Sequence, residues 1–148
     1  MMITGKNSFR IDFDFSSFEK KLDTLIATDP AESVMRKAAG AGAKILYDEM
    51  RARVPVKTGK LKESIYYWWD KQQSGKQSAL YRIGPNTKKA PHWHLVEFGH
   101  WDKTKKHFTP ARSYMRTTFD ARSKDALSVS RKKLNELIGE IFNGEKTR

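Results

Sequence analysis

Apolar residues change their spacing several times along this chain, and each change marks an expected element. Phe9-Arg10-Ile11-Asp12-Phe13-Asp14-Phe15 alternates strictly, placing Phe9, Ile11, Phe13 and Phe15 on one face of a half-buried strand. Ser16-Ser17-Phe18-Glu19 reads as a capping box, in which the Ser16 hydroxyl accepts from the Glu19 amide while that carboxylate reaches back. A short helix should follow, with Phe18, Leu22, Leu25 and Ile26 inward, stopping near Thr28. Asp29-Pro30-Ala31-Glu32 opens a second helix: Asp as N-cap, proline in the first turn, Glu at the third position. Its expected apolar stripe is Val34, Ala38, Ala41, Ile45 and Met50, and the small residues from Ala38 to Ala43 would let another backbone approach closely. Pro55 ends this helix, because the residue before a proline is pushed out of the helical region.

Ile65-Tyr66-Tyr67-Trp68-Trp69 and Ala79-Leu80-Tyr81-Arg82-Ile83-Gly84 are rich in aromatic and β-branched residues and read as strands. The polar stretch from Asp70 to Ser78 makes them an antiparallel hairpin with a mobile tip. Five consecutive bulky residues at 65–69 predict burial on both faces, by the core on one side and by another element or subunit on the other. Leu95 to Phe98 forms a short helix or turn ended by Gly99. From about Ala111 the spacing is helical again, through Met115, Phe119, Leu127, Leu134, Ile138 and Phe142, with fraying from Asn143. The expectation is one α+β domain over residues 1–148. A small, mainly antiparallel sheet is packed by a central helix (30–53) and a long C-terminal helix, with 1–8 and 143–148 flexible.

Composition narrows the function. The 148 residues suffice for a single core. No apolar run approaches the ~20 residues that span a bilayer, and the opening MMITGKNSFRID has no apolar signal-peptide core. No membrane partner and a soluble chain are therefore expected. The absence of cysteine excludes disulfides, thiolate zinc sites and a cysteine nucleophile. The net charge is +12, and nearly all of the excess falls after Val54. A basic half of this kind attracts nucleic acid or an acidic protein surface, and charge alone does not choose between them.

His92, His94, Glu97, His100, Asp102 and His107 invite a metal reading, but their spacing is poor. On a helix His92 and His94 lie ~200° apart, and on a strand Glu97 points away from them. The chain has neither a His-Glu-x-x-His run, a Gly-x-Ser-x-Gly elbow nor a Gly-x-x-x-x-Gly-Lys loop. No metal, cofactor or catalytic residue is expected, and the chain is not read as an enzyme. Lys57, Lys60, Lys62, Lys88, Lys89, Lys103, Lys105 and Lys106 interleave with Trp68, Trp69, Trp93 and Trp101, a mixture of charge and stacking surface that single-strand binders use. This leaves non-specific DNA binding open. Thr58 is expected to cap a short turn, Gly59 to supply positive φ, Leu61 to seat against the sheet, and Glu97 to pair with a nearby Lys or Arg.

Three segments carry a resemblance. Val54-Pro55-x-x-Thr58-Gly59-x-Leu61-x-x-Ser64-Ile65, then His94-Leu95-Val96-Glu97-Phe98-Gly99, then Pro110-Ala111-Arg112-x-Tyr114-Met115-Arg116 resemble, in order and spacing, the neck or tail-completion proteins of long-tailed bacteriophages and prophages. Ser113 and Thr117 stand where that family often has proline. The resemblance covers roughly residues 30–140 and implies a virion structural protein at the head–tail junction, made in the host cytoplasm. It implies a homo-oligomeric ring (a hexamer) that completes the tail end, with head-completion or adaptor proteins and tail-terminator or tail-tube proteins as partners and transient contact with genomic DNA. The alternative is a non-specific DNA-binding protein of a phage or mobile element. Trp68, Trp69, Trp101, Lys103, Lys105 and Lys106 are the expected subunit or partner contacts, with the 70–78 tip and the 100–109 loop as the contacting segments.

Overall fold

In a computed structural model the chain is described at residues 9–14, 31–75 and 78–145. The expected capping box at Ser16, the short helix behind it and the Asp29-Pro30 helix start lie outside the described residues. In chain order the elements are β1 (Phe9–Asp14), α1 (Ala31–Arg53), α2 (Lys60–Ser64), β2 (Ile65–Trp69), β3 (Ser78–Pro85), α3 (Trp93–Phe98), β4 (His100–Trp101), β5 (Phe108–Thr109) and α4 (Tyr114–Glu145). β1, β3 and β2 form an antiparallel sheet in that order, and β4 and β5 a separate two-stranded ribbon. This is the α+β architecture expected from the sequence, with α1 packed against both the sheet and the long α4. No helix among the described residues is long and apolar enough to cross a membrane.

α1 occupies the residues expected of it but turns a partly different arc inward. Of the expected stripe Val34, Ala38 and Met50 are buried, whereas Ala41 and Ile45 are only half-buried; Met35, Ala39, Gly42, Ala43 and Leu46 are buried in addition. The buried arc thus extends about one residue, or ~100°, round from the expected one. Close approach of α4 buries this arc, and the positions nearest α4 are small, so bulk alone misplaces it. A Cβ on Gly42 would run into the Ser130 hydroxyl and the Ala126 carbonyl of α4, and into Phe13 of β1. Ser130 and Ala126 are themselves buried. On the opposite side of α1, the Tyr81 hydroxyl of β3 donates to the Arg36 carbonyl at 3.0 Å.

α4 buries Tyr114, Met115, Thr118, Ala126, Ser130, Leu134 and Ile138 against this layer, while Phe119, Leu127 and Phe142 pack only partly. Its helical turns continue to Glu145, past the Asn143 at which fraying was expected.

β2 departs further from expectation. Only Ile65 is buried; Tyr66 and Tyr67 are exposed, and Trp68 and Trp69 half-buried. In the sheet β3 takes the centre and β2 lies at an edge. Of the two covers expected for the second face of 65–69, another element or a subunit, no element among the described residues supplies the first. Of the 70–78 segment expected to be a mobile tip, residues 70–75 are tied down, and 76–77 lie outside the described residues. Ser74 Oγ accepts from Trp69 Nε1 at 2.8 Å and from the Leu80 amide at 3.0 Å, and donates to the Asp70 carbonyl at 2.7 Å. Asp70 pairs with Arg82 at 2.7 Å, both side chains mostly buried.

Two outcomes follow for stability. Gly42→Ala should cost about 2–3 kcal/mol by overpacking, seen as a melting temperature lowered by roughly 5–10 °C. Gly139→Ala, on the same α4 but with nothing within 4 Å of the new methyl, should instead stabilise by about 0.5–1 kcal/mol; equal effects at the two sites would contradict the close helix contact. The Arg82 guanidinium, donating to Asp70, holds that carboxyl below the usual carboxylate range. This stabilisation is complete above the ordinary Asp value of about 4 and is lost as pH falls through the depressed folded value. Asp70→Asn should cost about 1–2 kcal/mol at pH 7 and shrink the loss of stability on acidification, as urea titrations at pH 7 and pH 3 would show.

Candidate functional site

The three segments singled out in the sequence form one supported unit. Val54 closes α1, its amide donating to the Met50 carbonyl at 3.0 Å, and Pro55 turns the chain away. Gly59, at φ 79°, is itself the N-cap of α2 and no side chain caps it. Thr58 is exposed and does not make the expected cap; the left-handed glycine starts the helix alone. Leu61 is buried, and the buried Ser64 hydroxyl donates to the Leu61 carbonyl at 2.7 Å, joining α2 to β2.

Glu97 is the residue whose role differs most from expectation. It is 3% exposed and makes no ion pair among the described residues. Its carboxylate accepts the amides of Met115 at 2.9 Å and Arg116 at 3.2 Å, the second and third residues of α4. The first amides of a helix have no intrahelical acceptor, so a carboxylate there satisfies them and meets the positive end of the helix dipole. Glu97 is thus a cap supplied from another helix. Two backbone bonds hold the same junction: Arg112 N to the Val96 carbonyl at 2.8 Å and Ser113 N to the Glu97 carbonyl at 3.1 Å. The buried Tyr114 hydroxyl beside it has its pKa pushed up, chiefly by burial and further by the Glu97 charge. Ser113 sits at φ 41°. A proline, whose ring fixes φ near about −65°, could not stand there.

From this clasp the chain makes one excursion. Gly99 (φ 75°) lies under the returning strand, where a Cβ would meet the Thr109 carbonyl at 2.7 Å and the Ala111 amide at 2.8 Å. β4 and β5 pair His100 with Thr109 and Trp101 with Phe108. The Trp101 and Phe108 rings sit 5.2 Å apart, 59% and 44% exposed. Beyond them Lys103, Lys105 and Lys106 are exposed. Asp102 organises that basic loop: it accepts from Thr104 Oγ1 at 2.8 Å and from the Lys106 amide at 2.9 Å, while its carbonyl accepts from Lys105 N at 3.0 Å. The Thr104 hydroxyl and the loop amides hold the Asp102 carboxyl below its ordinary range. Phe108 and Asp102 both lie in the 100–109 loop expected to make contacts, although only Trp101 and the three lysines stand out individually; the Asp-x-Thr spacing is the available signal for Asp102.

The other expected contacts scatter. Trp69 packs against the core under the Arg36 guanidinium, 5.1 Å from its ring centroid, and Trp68 stacks on Tyr66 at 4.6 Å on the opposite sheet face. His94 is exposed and meets Trp93 edge-on, Phe98 is 58% exposed, and Pro110 and Arg112 are exposed. Among the described residues no three His, Asp or Glu are placed to hold a metal ion.

Comparison with known proteins agrees with this scaffold. Residues 16–99 match the model of the HK97-gp10-like family, described as "Bacteriophage HK97-gp10, putative tail-component". The match spans more than half of the chain, takes in the Pro55–Ile65 and His94–Gly99 segments, and stops before Pro110. No curated protein and no solved structure matches the chain.

Removing the clasp should loosen the start of α4. Glu97→Ala is expected to cost about 2–3 kcal/mol, by loss of a cap and by leaving amides unpaired at a buried helix start. Glu97→Gln keeps carbonyl acceptance and should cost about half as much. Denaturant titration of both variants measures this; a neutral Glu97→Ala would show that the carboxylate is not holding the helix.

Proposed function

The chain belongs to the HK97-gp10-like family of bacteriophage tail components, a structural and not an enzymatic family, so it is a virion protein, and we propose that it acts at the head–tail junction. There it completes the tail end as a subunit of an oligomeric ring, a hexamer, and docks against head-completion or adaptor proteins on one side and tail-terminator or tail-tube proteins on the other. The observation that carries this reading is the β4–β5 knob. Two exposed, mutually packed rings and three lysines stand on a ribbon clamped at its base by Glu97 and Gly99. An unsupported loop could spare such rings; a clamped one presents them in a fixed direction, which suits an anchor that fills a partner's pocket. The rim of lysines favours an acidic partner surface and steers its approach.

The same loop supports a second reading, in which the lysines meet phosphates of the passing genome and Trp101 stacks on a base. Salt separates the two.

Trp101→Ala with Phe108→Ala should leave stability within about 0.5 kcal/mol, as surface changes do, while weakening partner docking by roughly 30-fold or more per ring. Phage carrying both changes should accumulate finished heads and unjoined tails, visible by electron microscopy; normal infectivity would refute the anchor. Under the DNA reading, three phosphate contacts would make duplex binding fall roughly 40-fold between 50 and 200 mM salt. Lys103→Ala, Lys105→Ala and Lys106→Ala together would abolish that dependence. No binding at 50 mM salt leaves the structural reading alone.

A further inference from the structure

The parity of hydrogen bonds fixes what each edge of the sheet offers. Asp70 N–H donates to the Leu80 carbonyl at 2.9 Å, and Asn86 N–H to the Ser64 carbonyl at 2.8 Å, so even-numbered residues along β2 point their backbone groups into β3. Tyr67 and Trp69 therefore turn their N–H and C=O groups outward, where no strand among the described residues pairs with them. The same count runs on across β3: Tyr81 and Ile83 bond toward β1, which leaves the backbone groups of Arg10 and Asp12 facing outward from β1. Among the described residues each copy thus carries two open edges of similar length, six residues in β1 and five in β2.

We propose that β1 of a second copy adds in parallel to the open edge of β2, so that neighbouring copies share one continuous sheet. β1 and β2 both run antiparallel to β3, hence parallel to each other, and repeating one copy beside the next brings them together in that sense. Setting Tyr67 opposite the second copy's Ile11 satisfies the parallel ladder. Tyr67 N–H then donates to the Arg10 carbonyl, and the Tyr67 carbonyl accepts from the Asp12 amide. In this register Tyr67, 37% exposed, and Ile11, half-buried, cover each other on the face that carries α1.

On the opposite face Arg10 arrives beside Tyr66, which stacks on Trp68. A guanidinium over the negative faces of stacked rings is a favourable charge match. The competing arrangement, β2 against β2 about a two-fold axis at Tyr67, would bring together Arg51 and its copy, because Arg51 lies on Tyr47 and Tyr47 on Tyr67. Like charges disfavour it. Pairing β1 with β2 is head-to-tail, so it ends only when a ring closes, and closure removes both exposed edges. This inference rests on the proposed oligomeric role and supplies its joint.

The chain has no cysteine, so engineered thiols report the joint cleanly. D12C/W68C places thiols at opposed positions of neighbouring copies, and a short bis-maleimide should give a ladder of multimers on denaturing gels, whereas D12C or W68C alone should give none. Tyr67→Pro removes one outward N–H that no strand among the described residues uses, and an edge strand tolerates proline there. Its circular dichroism should match wild type while sedimentation shows assembly weakened roughly tenfold or more. If Tyr67→Pro unfolds, the cross-link alone decides. Assembly unchanged in a folded Tyr67→Pro, or no ladder from D12C/W68C in protein that sediments as an oligomer, overturns the shared sheet and leaves the ring. Wild-type protein that stays monomeric both alone and with isolated tails overturns the ring as well.

Discussion

The approach of α1 to α4 at Gly42 is the constraint from which the rest of the architecture is hung. With no side chain at that position, the two helix backbones close to a distance at which even a methyl group would strike Ser130 and Ala126. Close packing of this kind brings many weak dispersion contacts into range at once and leaves no room for water. It also fixes the rotation of α1, and so decides which residues meet the sheet. Phe13 reaches the same point from β1, so sheet and both helices share one crowded spot.

A second tie transmits that rigidity outward. α4 would fray at its start, as helix ends do, were its first amides not held by Glu97. Because Glu97 belongs to α3, the cap joins two elements on either side of the β4–β5 excursion and clamps its base. The exposed Trp101–Phe108 pair is therefore carried by the core rather than by a free loop. Rigid presentation lowers the entropy cost of docking, which suits the junction role proposed for the chain. A basic, aromatic knob and an open sheet edge are different surfaces with different demands: one suits a foreign partner, the other a copy of the same chain.

Local signals carried much of this into the sequence. The alternation at residues 9–15, the breaker at Pro55 and the polar stretch after Trp69 placed strands and helix boundaries within a few residues. What failed depends on distant parts of the chain. The small residues from Ala38 to Ala43 do mark the close approach, and Val34, Ala38 and Met50 lie inward as expected, but Ala39, Gly42 and Ala43 carry so little bulk that the apolar pattern points partly to Ile45 instead. That β2 lies at an edge is not local information either, since it depends on β1, some seventy residues from β3 in the chain, pairing with β3 on its far side. Glu97 stood out as a lone acid among bases and suggested an ion pair. Its real partners are backbone amides eighteen and nineteen positions on, which a sequence does not display. The knob was half legible: its lysines and Trp101 were, while Phe108 became meaningful only through its register with Trp101.

Amide hydrogen exchange on the isolated protein measures the clamp most directly. The amides of Met115 and Arg116 should exchange as slowly as those in the middle of α4, and together with the buried stretch of α1 around Gly42. Fast exchange at Met115 and Arg116, as at an ordinary frayed helix end, would mean that α3 does not hold α4 and that the knob is not rigidly carried.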